Sequence, residues 1–309
     1  MSNLQKYYTC FLSLLHEIEP KNNFIKQIRK PKLSDKELIA LSLAAEASGI
    51  DSELLLFQQL PDDLLHKIER SVYNKRRRRL SLKTQELQQR LANAVIAQEF
   101  HLLIDSMPIE ICRPSRAKRS RVCSQYDESS PDFGYCAAQK MYYFGYKIHA
   151  VCTHQGVFKA FDLTKASTHD IHYLNDVREQ FDHCILIGDK GYLSRAWQAD
   201  LFEHSAISLC TPPKRNQTTE KPFPAVYRKA RKRIETLFSQ LCDQFMIRRN
   251  YAKSFAGLAT RVVAKITALT IIQLHNKNLG RNINRLKMGF PYMRNGLYST
   301  WQTTTKRLY

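Results

Sequence analysis

Apolar positions in the first hundred residues recur at helical spacing. Phe11, Leu12, Leu14, Leu15 and Ile18 cluster ahead of Pro20, and Leu38, Ile39, Leu41 and Leu43 follow the capping box Ser34-Asp-Lys-Glu37. Gly49 suits the end of that helix, and Asp51 is placed to cap the next, which carries Leu54 to Phe57. Pro61-Asp62-Asp63 opens a third, with Leu64, Leu65 and Ile68 facing inward. Leu82, Leu87, Leu91, Val95 and Ile96 form one face of a longer helix from Leu80 to Phe100. Three short helices with tight turns are compatible with a helix-turn-helix DNA reader, and equally with any small helical bundle.

From His101 the pattern shortens to strands. His101 to Ser106 is the first, with Met107 to Glu110 continuing extended. Residues 113 to 135 are basic and rich in breakers, and read as a loop. Tyr142 to Thr153 and Val157 to Leu163 flank Gln155-Gly156 and predict an antiparallel hairpin. Thr168 or Asp170 caps a helix through Val177. Ile185-Leu-Ile187 is a short buried strand, Ser194 opens a helix, and Ile207 to Cys210 is a last strand before Pro212-Pro213. Lys214 to Lys221 is a basic loop. Two long helices follow, within Pro222 to Phe245 and from Phe255 to Leu274, while residues 280 to 309 show no period. A strand, a hairpin, then helix–strand–helix–strand–helix is a ribonuclease-H-like order. It predicts an α/β fold with a mixed five-stranded sheet flanked by helices. The expected division is an all-helical region over 1–98, the α/β domain over 99–279, and a basic aromatic tail over 280–309.

Charge narrows the partner. Lys and Arg number 48 against 28 Asp and Glu, a net +20. That points to a polyanion, with a merely basic soluble protein as the bland alternative. The eight cysteines contain no Cys-x-x-Cys pair, which removes zinc-site spacing, and most sit in apolar surroundings as reduced core residues do. No apolar run approaches the roughly 20 residues of a membrane span, and the first residues do not read as a secretory signal. A cytoplasmic protein is the expectation.

Three acids stand where chemistry is usually built. Asp105 closes the run Leu102-Leu103-Ile104, Asp189 follows Ile185-Leu-Ile-Gly188, and Glu235 lies in the helical stretch Arg231-Lys-Arg-Ile-Glu-Thr-Leu-Phe238. The ends of strands in α/β sheets form rims where sites lie. Carboxylate oxygens suit hard divalent cations, and two such ions about 4 Å apart can serve phosphoryl transfer. Each acid also has a plain role: a turn cap for Asp105 and Asp189, an ion pair with Arg231 for Glu235. Arg231, one helical turn before Glu235, is placed to hold a phosphate by two hydrogen bonds. Lys147, in a strand with His149 on the same face, is a candidate DNA contact or simply solvated. Lys75 and Arg76, Arg77, Arg78 and Arg79 form a cationic run that is either a solvated linker or a phosphate contact. His169 and His172 read as polar groups at a helix start.

Four segments then carry a family resemblance: Leu-Leu-Ile-Asp105-Ser, Tyr-Phe-Gly-Tyr-Lys147-Ile-His149-Ala, Ile-Gly-Asp189-Lys-Gly-Tyr192 and Arg231-Lys-Arg-Ile-Glu235-Thr-Leu-Phe238-Ser-Gln-Leu. Over about residues 95 to 280 the chain resembles insertion-sequence transposases of the DDE type, most of all the IS982 family, a relative of the IS4 and IS5 groups. The resemblance implies a ribonuclease-H-like catalytic domain and cutting and joining of transposon ends. It implies Mg²⁺ as a pair of ions, with Mn²⁺ as a substitute, and matches Asp105, Asp189 and Glu235 to the catalytic acids. Double-stranded DNA, at the element's ends and at the target, is the implied partner, bound by a homo-oligomer in the bacterial cytoplasm. The related IS4 signature places a Tyr before the Arg and a Lys seven positions after the Glu. Here that Tyr is Tyr227, one position off, and the seventh position is Cys242. A domesticated DNA-binding derivative and a nuclease of the same fold are the rival readings.

Overall fold

The computed structural model describes residues 2–137, 139–213, 222–249 and 251–286. The basic loop expected over 214–221 and the tail beyond residue 286 lie outside the described residues. The chain begins with six helices: α1 (Asn3–Ile18), α2 (Asp35–Ala47), α3 (Glu53–Gln58), α4 (Asp62–Leu65), α5 (Arg70–Arg79) and α6 (Ser81–Val95). The capping box forms, with Ser34 accepting from the Glu37 amide and Glu37 accepting in return from the Ser34 amide. Gly49 follows the end of α2 at φ 72°, a left-handed conformation that glycine adopts without a Cβ penalty. The cap of α3 is Ser52 and not Asp51: the serine hydroxyl takes the Leu55 amide.

The strands are β1 (His101–Cys112), β2 (Asp132–Cys136), β3 (Met141–Thr153), β4 (Phe158–Lys165), β5 (Ile185–Ile187) and β6 (Ser208–Cys210). They form one mixed sheet. β6, β5 and β1 are parallel neighbours, and β3 lies antiparallel on the other edge of β1. The outer edge of β3 is shared, with β2 along its first residues and β4 along the rest. The order β4–β3–β1–β5–β6 is the expected ribonuclease-H-like sheet. β2 is an addition to it, formed inside the breaker-rich stretch that the sequence presents as loop. Pro131 and Gly134 mask the alternation of Phe133 and Tyr135.

Two helices, α7 (Leu174–Gln180) and α8 (Arg195–Ser205), cover one face of the sheet, where Leu102, Ile104, Val151 and Leu186 are buried with Leu174 and Leu201. Neither Thr168 nor Asp170 caps the turn before α7. His169 does, its ring nitrogen accepting the Ile171 amide at 3.2 Å. The other face carries α9 (Ala225–Asp243) and α10 (Phe255–Asn278). Its buried cluster runs without a break from Leu103, Ile148 and Leu237 through Leu269 to Leu41, Leu15 and Phe11 of the N-terminal helices. Contrary to expectation, α10 is long and apolar enough to cross a membrane by length and composition. However, 78% of its apolar window is buried against α2, α6 and the sheet. Its buried Thr260, Thr267, Thr270 and Gln273 interrupt the apolar sequence. The three threonine hydroxyls donate to the carbonyl four residues back in the helix.

Burial removes one of the helices expected in a helix-turn-helix unit. Nearly all of α2 is buried, so it cannot lie in a groove. α3 turns Leu54 and Leu55 outward and begins on Glu53, which pairs with Arg77.

Candidate active site

The sheet register builds the centre of the site. β1 and β5 are parallel, with Leu103 opposite Ile187. Asp105 comes two residues further along β1, and Asp189 two residues past Ile187, in the turn just beyond β5. Asp105 shares its face of β1 with Leu103, which with Ile187 belongs to the cluster beneath α9. The motif Gly188-Asp-Lys-Gly-Tyr192 shapes the turn. A Cβ at Gly188 would stand 3.1 Å from Ile104 Cγ2, so glycine lets β5 leave the sheet close to β1 without displacing that side chain. The Gly191 amide donates to Asp189 Oδ1 at 2.7 Å, and a Cβ at Gly191 would press on that same oxygen. Tyr192 is fully buried behind the turn.

α9 brings the third acid. Ile234, Leu237, Phe238 and Leu241 face the sheet, and this stripe fixes the helix rotation. Glu235 is left on the exposed side, with Arg231 one turn earlier. They form no ion pair with each other, although their spacing permits one. Both act on Asp105 instead. Burial, and then the charges of Asp189 and Glu235, push the Asp105 carboxyl up to about 7, against the pull of the Ser106 amide and of Arg231. These four side chains therefore share one electrostatic site. Among the described residues no three His, Cys, Asp or Glu side chains close into a set of metal ligands. Even so, the donors fit a divalent cation. They are hard oxygens, and a cation would compensate the like charges that hold a proton on Asp105.

Cys242, where the related signature has lysine, is turned inward, its Sγ 3.6 Å from Met107 Sδ. Tyr227 lies at the other end of α9, its ring 6.3 Å from that of His101 and 6.0 Å from that of Phe223.

The expected cationic contacts divide. Lys147 does not face the acids. Asp105 pairs with Ala150, so alternation along β3 sends Lys147 and His149 to the opposite face. There Lys147 donates to Asp170 Oδ1 at 2.8 Å and to the Thr168 carbonyl at 3.0 Å. His149 meets Thr164 Oγ1 at 2.9 Å and stacks on Tyr173. Burial holds its imidazole down at about 4, Lys147 adding to the effect and Asp170 opposing it, so the ring is neutral near pH 7. Asp170, expected as a cap, is thus the partner of a strand lysine. The sequence signal for that role is a lysine beside a histidine in one strand, which burial forces to find a carboxylate.

The run at 76–79 is helical, in α5, and splits by helical rotation. Arg76 is buried, with one guanidinium nitrogen 2.6 Å from Asp35 Oδ1 and another 2.9 Å from the Leu33 carbonyl. Arg77 is also buried and pairs with Glu53 at 2.7 Å. Both charges are spent inside the protein, so the expectation that they touch DNA is corrected. Arg78 and Arg79 are exposed. Arg78 borders a cleft of about 380 Å³ with Lys253. Opposite effects should follow. Arg76→Gln leaves Asp35 buried without its cation, and should cost about 3–5 kcal/mol in chemical denaturation. Replacing both Arg78 and Arg79 by Gln should leave stability within about 0.5 kcal/mol. It should flatten the slope of log K against log salt for DNA by about one for each phosphate no longer neutralised. An unchanged slope places these two away from DNA.

A mixed sheet in this order, with one aspartate within β1, another just past the end of β5 and an acid on the covering helix, defines a ribonuclease-H-like domain with an acidic site. Residues 97–271 match the family described as "Transposase DDE domain", and the chain belongs to that family. A solved structure similar to this chain is that of a "Mos1 transposase paired-end complex with left transposon end". It is 13% identical, covering 81% of this chain and 82% of that one, with a TM-score of 0.23. No curated protein matches the chain.

Proposed function

We propose that the protein is an insertion-sequence transposase that cuts DNA at the ends of its element and joins them to a target, with Asp105, Asp189 and Glu235 as its metal-holding acids. The observation that carries this reading is the convergence of charge on Asp105: Asp189, which follows the β5 strand paired to β1, and Glu235 and Arg231 of the covering helix all act on it. Divalent cations held by these acids, Mg²⁺ first and Mn²⁺ as a substitute, would supply Lewis-acid stabilisation of developing negative charge. The chain's own residues do the rest. Asp105 gives up its proton near neutrality to become a ligand. Asp189 is held in position by the Gly191 amide. Arg231 presents a guanidinium beside the carboxylates, where a scissile phosphate would lie. Arg78 and Arg79 offer exposed charge to the duplex backbone, and assembly on DNA is as a homo-oligomer. The finer assignment to the IS982 group rests on the four sequence blocks.

The test is a labelled duplex carrying the inverted repeats that flank the gene, incubated with protein, Mg²⁺ and target plasmid. Nicking at the repeat ends followed by joined product is the expected result. Binding without nicking supports a domesticated derivative, and nicking without joining supports a nuclease.

A further inference from the structure

The face of the sheet that carries Asp105 continues along β3 as a row of aromatic rings that opens to solvent. Ala150 is the register partner of Asp105, and strand side chains alternate, so Tyr146, Phe144 and Tyr142 lie on the same face. The register shift at this end lies in β1, between Glu110 and Cys112, so β3 itself alternates without interruption. β2 places Phe133 opposite Phe144 and Tyr135 opposite Tyr142. Both pairs have ring centroids 5.1 Å apart. The row is anchored at its inner end, where Tyr146 is buried against Phe255. Its outer end is bare: Tyr142 is 67% exposed, Tyr135 53% and Phe133 46%.

A contiguous row of open rings marks a contact surface, and the neighbouring charge selects the occupant. Arg113, Arg116, Lys118, Arg119 and Arg121 precede β2, all exposed, and form no ion pairs among the described residues. The 3-10 turn Pro114–Arg119 packs against β3 beside the row. Pairing this surface with itself in a two-fold dimer would bring like-charged strips together. Cations that track a phosphate backbone, beside rings that accept any base, are the means by which proteins hold unpaired nucleic acid.

We infer that Tyr135 and Tyr142, with Phe133, form a stacking platform for unpaired bases of DNA whose backbone runs along the basic segment 113–121. From Ala150 to Tyr142 is eight residues of strand, about 26 Å, or roughly seven to eight nucleotides at 3.4 Å each. The platform therefore meets DNA well away from the reacting phosphate, and grips strands that have come apart beside the cut. The inference rests on the transposase reading and adds the state of DNA that is bound.

The test uses the full chain in metal-free buffer, so that nothing is cut. Binding of a labelled single-stranded oligonucleotide and of a duplex of equal length is measured across a range of salt. Wild type is compared with Tyr135→Ala/Tyr142→Ala and with Tyr135→Phe/Tyr142→Phe. The double alanine variant should lose about tenfold or more in single-strand affinity, with duplex affinity, melting temperature and salt slope unchanged. The phenylalanine variant should match wild type, because its rings still stack. Independently, 2-aminopurine in the single strand should be quenched by wild type and by the phenylalanine variant, and not by the alanine one. Unchanged single-strand affinity in the alanine variant overturns the inference. So does a change in sedimentation without a change in single-strand affinity, which would make the row an interface between copies. If wild type binds neither DNA, the transposase reading itself fails; if it binds duplex but the rings have no effect, only the platform does.

Discussion

Asp189→Asn is expected to lower strand cleavage by roughly a thousandfold or more, while the protein folds, melts and binds DNA as wild type does. The structural half of this expectation rests on one hydrogen bond. Asp189 Oδ1 accepts the Gly191 amide at 2.7 Å, and that contact shapes the turn leaving β5. An asparagine carbonyl oxygen is an acceptor of the same size in the same place, so the turn keeps its closing contact. The chemical half rests on charge. A neutral amide is a poor ligand for a hard divalent cation. Lewis-acid stabilisation in such sites is worth several kcal/mol, and about 4 kcal/mol is a thousandfold in rate. The variant should also change its neighbour. Asp189 is one of the charges that hold a proton on Asp105, so in the variant Asp105 ionises at lower pH. The measurement is cleavage of labelled end DNA in Mg²⁺, with circular dichroism melts and gel shifts as controls. A folded Asp189→Asn protein that cleaves at the wild-type rate removes Asp189 from the site.

The parts of this fold legible in the sequence are those where one periodicity dominates. Ile185-Leu-Ile187 reads as a buried strand because three adjacent apolar residues need cover on both faces, and Asp189 follows from its end. The capping box at Ser34 is legible because it is local: two side chains and two amides within one turn. β2 is not, since Phe133 and Tyr135 are strand residues only by virtue of pairing with Phe144 and Tyr142, and Gly134 looks like a breaker until Tyr143 and Ala166 are seen packed over it. Arg76 and Arg77 show the same limit in charge. A run of cations looks exposed in one dimension. In three, helical rotation carries two of them inward, and their partners Asp35, Glu46 and Glu53 lie at least 24 positions away in the chain. The face on which Lys147 lies is hidden for a related reason. Alternation says that Lys147 and His149 share a face, and only the register with Asp105 says which.

Glu235→Gln is expected to abolish cleavage while leaving the metal-free protein as stable as wild type or more so, and Arg231→Gln should separate from it cleanly. Asp105 sits up at about 7 against an ordinary 3.8, by burial first and then by the charges of Asp189 and Glu235. The unfolded chain releases that proton near its ordinary value, and the folded protein keeps it until about 7. Between those two pH values the folded state binds more protons, so without metal the contribution of Asp105 to stability declines as pH rises from about 4 to about 7. Neutralising Glu235 removes one of the repelling charges, so the decline should be shallower and the melting temperature at pH 7.5 equal or higher. Added Mg²⁺ binds the folded state and raises stability by RT ln(1 + [L]/Kd), about 2.7 kcal/mol at a hundred times Kd. Binding requires Asp105 to be ionised, so this increment should grow as pH rises through 7 in wild type and shrink in Glu235→Gln. Arg231 is not a ligand. Arg231→Gln should keep the Mg²⁺ increment, raise the pH at which Asp105 ionises because a cation beside it is gone, and slow cleavage through poorer hold on the phosphate. Melting curves of the three proteins at pH 6 and 7.5, with and without Mg²⁺, alongside cleavage assays, decide the matter. An active Glu235→Gln enzyme with the full Mg²⁺ shift means that the third acid lies elsewhere and that the exposed face of α9 has another use.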